Sequence, residues 1–345
     1  MAELDVEEVC GRSSASVLLW ARHPSSHPTV FEIDRGLARR LGPPRDRRES
    51  VPVPRHPATR AGVMFFSGIA DEAGRDLETQ LRAHGELGWR HIELRNISGT
   101  NLTDVEDRRF AEICEALERA GLRVSCFASQ IANWARPIDT PFEVDRAELE
   151  RAIPRMQRLG TPFIRCMSYP NSQTPLDDGE WRRRVVERLR ELCRIADAGG
   201  VTLVHENCNG WGGQGPKHTM DLLDDVGSER LKLVFDTGNP CQYSQDAWEY
   251  YRGVRDAIVY VHIKDYLPRK KGATDDVACF PGEGCGHVRR ICLDLLERAY
   301  DGGFSIEPHI TSVIHLHQEA NDPELAFRTY VEYGRRFEQL IATLR

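Results

Sequence analysis

From Met64 to the C-terminus the chain repeats one pattern eight times: a short apolar run, a break, then a stretch with helical periodicity. Few folds accept strict alternation of this kind. A strand, a helix and a second strand in the same direction make a parallel sheet with helices outside it, and eight such units can close on themselves. The strand-like runs are Met64–Ile69, His91–Leu94, Arg123–Phe127, Phe163–Met167, Val201–Glu206, Leu231–Asp236, Ile258–His262 and Phe304–Glu307. The helical stretches are Asp76–Glu86, Asp107–Ala120, Ala147–Leu159, Trp181–Ala198, Thr219–Val226, Gln245–Val254, Val288–Tyr300 and Glu324–Leu344. In the second of these, Phe110, Ile113, Cys114 and Leu117 fall at i, i+3, i+4 and i+7, one face of a helix. Gly199-Gly200 ends a helix on the residue that best accepts a left-handed cap. An open doubly wound sheet shares the alternation but normally carries a Gly-rich phosphate loop after strand one. Gly68-Ile69-Ala70-Asp71-Glu72 is not such a loop, so the reading is an α/β protein with a (β/α)8 TIM barrel.

Residues 1–62 have a different composition. They hold seven prolines, ten arginines and no lysine, and Pro43-Pro44-Arg45-Asp46-Arg47-Arg48 runs into Pro52-Val53-Pro54-Arg55-His56-Pro57. That is a linker composition, and it predicts a poorly ordered N-terminal extension rather than a second domain, with the barrel over 63–345. Ser16 to Ala21 is the one apolar patch, too short and too late for a signal peptide. No stretch approaches the roughly 20 apolar residues that cross a bilayer. The net charge of -7 excludes broad attraction to a polyanion, so neither nucleic acid nor membrane is the expected partner. None of the ten cysteines forms a C-x-x-C pair. Buried free thiols in a reducing cytoplasm are the expectation, and a thiolate zinc site is disfavoured.

The polar residues at the strand ends carry the chemistry. Glu206, Asp236, His262 and Glu307 close the fifth, sixth, seventh and eighth strand-like runs, in order. In a barrel the C-terminal strand ends converge on one opening, so these four become neighbours. Three carboxylates so placed raise one another's pKa unless a cation neutralises them. A divalent ion does so, and oxygen ligands with one nitrogen suit Mn2+ or Mg2+, with Co2+ or Zn2+ as alternatives.

At these residues the sequence resembles the xylose isomerase-like barrels, and among them the sugar phosphate isomerase/epimerase proteins. The resemblance lies in His205-Glu206-Asn207, Phe235-Asp236-Thr237-Gly238-Asn239, Val261-His262-Ile263-Lys264-Asp265, Pro281-Gly282-Glu283-Gly284 and Ser305-Ile306-Glu307-Pro308-His309. It implies that Glu206, Asp236, His262 and Glu307 hold the metal, and that Glu206 and Glu307 also move protons. One position departs from the pattern: ketose epimerases often place a His three residues after the strand-six Asp, where this chain has Asn239. Asn can hydrogen-bond a substrate hydroxyl but cannot titrate as His does.

The expected reaction is metal-dependent isomerisation or epimerisation of a sugar or keto-sugar through proton abstraction next to a carbonyl. The alternative is a lyase or dehydratase on the same site, for example on a 3-keto glycoside. An abasic-site endonuclease would need three zinc ions and a basic face, and strand three ends Phe127-Ala128-Ser129-Gln130 without a His. Glu93, Arg95, Asn239, Lys264 and His309 are candidate substrate-binding residues. For Glu93 and Arg95 the competing reading is an exposed ion pair, and for Lys264 a surface lysine beside Asp265. His205 and His309 are candidate partners that orient carboxylates. Trp134 and Trp211 are candidates to stack on a sugar or simply to pack, and Glu283 is expected near the pocket. Assembly into a homo-oligomer is left open by the sequence. Limited proteolysis is expected to leave a stable core beginning near Met64; protection of the first 50 residues or so would overturn the reading of the extension.

Overall fold

The computed structural model describes residues 64–269, 276–311 and 322–345, and before them the backbone of two strands, Ser16–Ala21 and Thr29–Asp34. The chain divides into two units, Met1–Arg55 and His56–Arg345. In the first, the two strands pair antiparallel, Ser16 opposite Asp34 and Ala21 opposite Thr29. The remainder of the expected extension over 1–62, and with it the expectation of poor order, lies outside the described residues.

The second unit holds eight parallel strands. They are β1 Phe65–Gly68, β2 His91–Leu94, β3 Arg123–Phe127, β4 Phe163–Ser168, β5 Thr202–Gly210, β6 Leu231–Asp236, β7 Ile258–Ile263 and β8 Gly303–Ile306. From β2 to β8 each strand pairs with the next, and β8 pairs back onto β1. A single bridge between Ile69 and Glu93 links β1 to β2, so the barrel is nearly closed. The helices between them are α1 Leu77–Leu87, α2 Asp107–Ala120, α3 Glu143–Leu159, α4 Asp178–Gly199, α5 Pro216–Val226, α6 Ala247–Val254, α7 Val288–Glu297 and α8 Pro323–Ala342. The alternation expected from the sequence is therefore the alternation of a TIM barrel.

Local chemistry starts and stops the helices. Asp76, Asp177, Asp246 and Asp322 each accept a backbone N–H at an N-terminus. Helices α1 to α5 end on Gly88, Gly121, Gly160, Gly200 and Gly227, all with φ between 63° and 69°, where a side chain would be strained. Parallel strands are buried on both faces, so their outward residues meet the helices and their inward residues fill the barrel. The inner floor is Cys126, Val204, Val234 and Tyr260, with Phe65 and Phe163 beside them.

Several boundaries differ from the sequence reading, among them these. Strand β5 does not stop at Glu206 but runs on to Gly210, because Gly210 still pairs with Ser168 of β4. Asn239–Gln242 forms a short helix immediately after β6. Pro216 opens α5, three residues before the periodic pattern becomes visible. Among the described residues no helix is long and apolar enough to cross a membrane.

Phe304 of β8 is fully buried against the rings of Tyr300 and Phe337, at centroid distances of 5.1 and 5.6 Å. Phe304→Ala is expected to lower the free energy of urea unfolding by about 3–5 kcal/mol, as for other large-to-alanine core changes. A loss under about 1 kcal/mol would show that this contact does not carry the packing of α8 on the sheet.

Candidate metal centre

Side chains alternate along a strand, so positions i and i+2 face the same way. On β5, β6 and β7 the inward pairs are Val204 and Glu206, Val234 and Asp236, and Tyr260 and His262. The first of each pair lies in the apolar floor, and the second lies one step nearer the C-terminal mouth. Register fixes their level: Asp236 is opposite His262, and His262 is opposite Ser305 of β8. Glu307 follows β8 directly. The geometry thus brings Glu206, Asp236, His262 and Glu307 together, one ligand atom of each lying within 4.8 Å of the others, all buried.

Each of the four is held by named partners. Asp236 Oδ1 accepts the backbone N–H groups of Gly238 and Asn239 at 2.8 and 2.7 Å, leaving Oδ2 to face the Lys264 ammonium at 3.1 Å. Asn207 clasps the same strand end, donating Nδ2–H to the Asp236 carbonyl and accepting the Asp236 N–H. His262 Nε2–H lies 3.2 Å from both oxygens of Glu93, which also accepts from Ser305 Oγ at 2.6 Å. Glu206 Oε1 accepts from Asn239 Nδ2 at 3.0 Å, and Oε2 faces Arg165 Nη1 at 3.2 Å. Glu307 Oε1 accepts from Arg95 Nη1 and Oε2 from Lys264 Nζ, both at 3.0 Å.

Electrostatics explains why so many cations are present. Asp71, Glu72, Glu93, Glu206, Asp236 and Glu307 are all buried at or beside the mouth, facing the buried Arg95, Arg165 and Lys264. Six carboxylates against three fixed cations leave an excess of three negative charges, and protons make up part of it. Burial alone would lower the His262 pKa, but Glu93 and Glu206 outweigh it and hold it near 10. Burial raises Glu72 to about 8 against the pull of Arg95, and raises Asp236 to about 6 against Lys264. Burial also opposes ionisation of Glu206, yet Arg165 and His262 hold it near 2. Glu307 is likewise kept well below the usual range by Lys264 and His309.

The residues fit a divalent cation on two observations. Glu206 Oε2, Asp236 Oδ2 and His262 Nδ1 are buried without a hydrogen-bond partner, and they belong to three of the four clustered side chains. Their donor set is oxygen with one imidazole nitrogen, which hard divalent ions accept. A second set, Glu72, Glu307 and His309, shares Glu307. There the Arg95 guanidinium already donates to both carboxylates, at 3.3 Å to Glu72 and 3.0 Å to Glu307.

The remaining sequence candidates are sorted by the same contacts. Arg95 and Lys264 are buried among the carboxylates, so the exposed ion pair and the surface lysine are both corrected. His309 joins the cluster, its Nε2 3.2 Å from Glu307 and its Nδ1 2.8 Å from the Tyr266 hydroxyl. His205 does not join it. It lies next along the strand from Glu206, so it faces the opposite side, towards Gly212, and burial lowers its pKa to about 4. Trp211 is buried with its indole N–H on Asp178, whereas Trp134 is exposed. Glu283 pairs with Arg336 of α8 at 3.1 Å and stands away from the cluster. Sequence reasoning missed Asp71, Glu72, Arg165 and Asn207. Arg165 carried a signal, since it stands two residues after the inward Phe163.

Glu72 makes the site pH-sensitive before any ion binds. Its folded pKa of about 8 lies above its ordinary 4.5, so the folded state holds the proton more tightly than the unfolded chain. Stability therefore falls as pH rises from about 4.5 through 8. In protein stripped of divalent ions, Glu72→Gln is expected to reduce the loss of unfolding free energy between pH 5 and pH 8 by on the order of 3 kcal/mol. Equal losses in both proteins, measured by urea unfolding, would show that Glu72 is not the group that titrates.

Comparison with known proteins places the fold. Fructoselysine 3-epimerase of Escherichia coli O157:H7 is 27% identical over 161 residues, which is 46% of this chain and 53% of that protein. Inosose dehydratase of Lacticaseibacillus casei is 25% identical over 144 residues, 38% of this chain and 47% of that protein. The chain thus spans about half the length of these curated relatives. In fold it is similar to the IOLI protein, whose crystal structure holds a zinc atom, with a TM-score of 0.65 and 16% identity over 82% of this chain and 99% of that one. The model of one family matches residues 81–335, nearly the whole barrel, and the chain belongs to that family, the xylose isomerase-like TIM barrels.

Proposed function

We propose that the protein is a divalent-metal-dependent isomerase or epimerase that abstracts a proton next to a carbonyl of a sugar or keto-sugar. The observation that carries this is the convergence of Glu206, Asp236, His262 and Glu307, three of which present a buried atom without a hydrogen-bond partner. These four would hold the ion, with Mn2+ or Mg2+ fitting the oxygen-rich set and Co2+ or Zn2+ as alternatives. When bound, the ion would supply Lewis acidity that makes the C–H beside a substrate carbonyl easier to ionise.

The protein's own groups do the rest. Glu206 and Glu307 come from strands with two others between them, so they approach a substrate from different directions. One carboxylate removes the proton; the other returns it on the opposite face for epimerisation, or the first returns it to the next carbon for isomerisation. Glu93, expected from sequence to bind a sugar hydroxyl, spends both oxygens on His262 and Ser305 and is assigned to orienting the imidazole. Lys264 would exchange its contacts with Asp236 and Glu307 for a substrate oxygen. Asn239 holds Glu206 and offers no titrating group, and Arg95 and His309 keep Glu307 ionised.

A second reading, a dehydratase on the same site, is favoured by the likeness to inosose dehydratase. It would share the first proton abstraction and then expel a hydroxyl, for which a buried ammonium such as Lys264 is a suitable acid.

Glu206→Gln and Glu307→Gln are each expected to slow exchange of the substrate C–H with deuterated water by roughly 10²–10⁴-fold across a panel of keto-sugars, with metal content measured alongside. Undiminished exchange in both variants would defeat the proton-carrier assignment. Product mass then separates the readings, because only a dehydratase loses water.

A further inference from the structure

Each carboxylate of the candidate centre has one oxygen held by a fixed group and another that faces a cation. Asp236 Oδ1 is taken by the N–H groups of Gly238 and Asn239 at 2.8 and 2.7 Å, so an ion bound to Asp236 would use Oδ2. The Lys264 ammonium lies 3.1 Å from that same Oδ2, as an ion pair without a hydrogen bond. Glu307 repeats the arrangement. Its Oε1 faces Arg95 Nη1 at 3.0 Å and His309 Nε2 at 3.2 Å, and its Oε2 accepts from Lys264 Nζ at 3.0 Å. One ammonium thus stands on the remaining oxygen of two of the four clustered residues.

We propose that Lys264 is a displaceable counter-ion: its ammonium leaves Asp236 and Glu307 when a divalent ion is bound there, and in leaving becomes available to a substrate oxygen. This rests on the metal centre proposed above and adds that ion loading and substrate capture are coupled through one side chain. Hard ions such as Mg2+ sit about 2.1 Å from a carboxylate oxygen, so an ion on Asp236 Oδ2 would lie within roughly 5 Å of an ammonium held 3.1 Å from the same atom. A dication and a monocation that close, in a site with little water to screen them, repel strongly. The ion has four residues to hold it, whereas the ammonium has a flexible stem on which to withdraw.

Of the three buried cations, Lys264 is the one free to move. Arg95 is anchored outside the cluster: its Nε donates to both Asp71 oxygens at 3.1 and 3.0 Å, and its Nη2 to Glu72 at 3.3 Å. Arg165 donates Nη2–H to the Ser129 carbonyl at 3.3 Å. The Lys264 ammonium pairs, among the described residues, with Asp236 and Glu307 alone. Its backbone is clamped, because the Lys264 N–H donates to Thr237 Oγ1 at 3.1 Å and the Thr237 hydroxyl donates to the Lys264 carbonyl at 2.7 Å. The stem lies against Gly238, where a Cβ would come within 2.8 Å of Cγ. A fixed backbone and an end group held only by two carboxylates let the ammonium swing about its last bonds while the strand end stays in place.

The test uses the full chain stripped of divalent ions, with Mn2+ as the probe and titration calorimetry as the readout. Lys264→Met keeps an unbranched stem and removes the charge, so it is expected to bind Mn2+ at least about tenfold more tightly than wild type. Asp236→Asn is expected to weaken binding at least about tenfold and reports on the metal centre itself. A crystal structure of the wild-type protein with Mn2+ supplies a second measurement, in which Lys264 Nζ is expected to stand out of hydrogen-bond reach of Asp236 and Glu307; where Lys264→Met does not fold without the ion, this measurement decides. If wild type binds Mn2+ through Asp236, but Lys264→Met binds no more tightly or Lys264 Nζ stays on both carboxylates, the displacement is overturned and the metal centre stands. Binding that ignores Asp236→Asn, or no binding by wild type and Lys264→Met alike, overturns the metal centre and the displacement with it.

Discussion

The structure depends on one electrostatic constraint: a barrel mouth that gathers six buried carboxylates must neutralise them. An unpaired buried carboxylate is costly, and removing one partner from such a pair typically loses about 3–5 kcal/mol. Arg95 reaches Asp71, Glu72 and Glu307, Arg165 reaches Glu206, and Lys264 reaches Asp236 and Glu307. Arg165 stands within β4, and Arg95 and Lys264 directly follow β2 and β7, so neutralisation is spread around the opening rather than placed on one loop. Beside these pairs, Glu206 Oε2, Asp236 Oδ2 and His262 Nδ1 stay buried without a hydrogen-bond partner, and these are the atoms through which the cluster could hold a cation.

Two tiers of polar contact hold that region still. Glu93, itself held by Ser305, fixes the His262 ring, while Asn207 and the N–H groups of Gly238 and Asn239 fix Asp236. Above them Asp265, buried but surrounded by four backbone N–H groups, shapes the loop after β7. Gly238 is part of the same economy of space, since a Cβ there would lie 2.8 Å from the Lys264 Cγ and push the lysine off its carboxylates. The family relationship accounts for the scaffold.

Much of this was legible in the order of residues. The eightfold alternation pointed to the barrel, and the polar residues closing the last four strand-like runs pointed to a cluster at its mouth; in the structure each inward polar residue of β5, β6 and β7 stands two positions after a residue of the apolar floor. The same spacing would have found Arg165, two residues after Phe163. Asp71 and Glu72 had no such signal, because they lie in a turn after β1, where strand periodicity no longer applies. Nor could the end of β5 be read: Glu206 looks terminal because glycine follows soon after, yet pairing with β4 carries the strand to Gly210.

By itself the sequence determined the periodic features, namely the alternation of strands with helices and the polar residues that four consecutive strand-like runs carry towards the mouth. These follow from local preferences that each segment expresses on its own. Only the tertiary structure decided the pairings that cross the barrel. Lys264 is a buried counter-ion rather than a surface lysine, Glu93 serves His262, and His205 is turned away from its neighbour Glu206. Those outcomes depend on strand register and barrel closure, which bring together residues 212 positions apart, as in Arg95 with Glu307 and Ser305 with Glu93. No local pattern encodes such a meeting, because its energy exists only once the strands have closed.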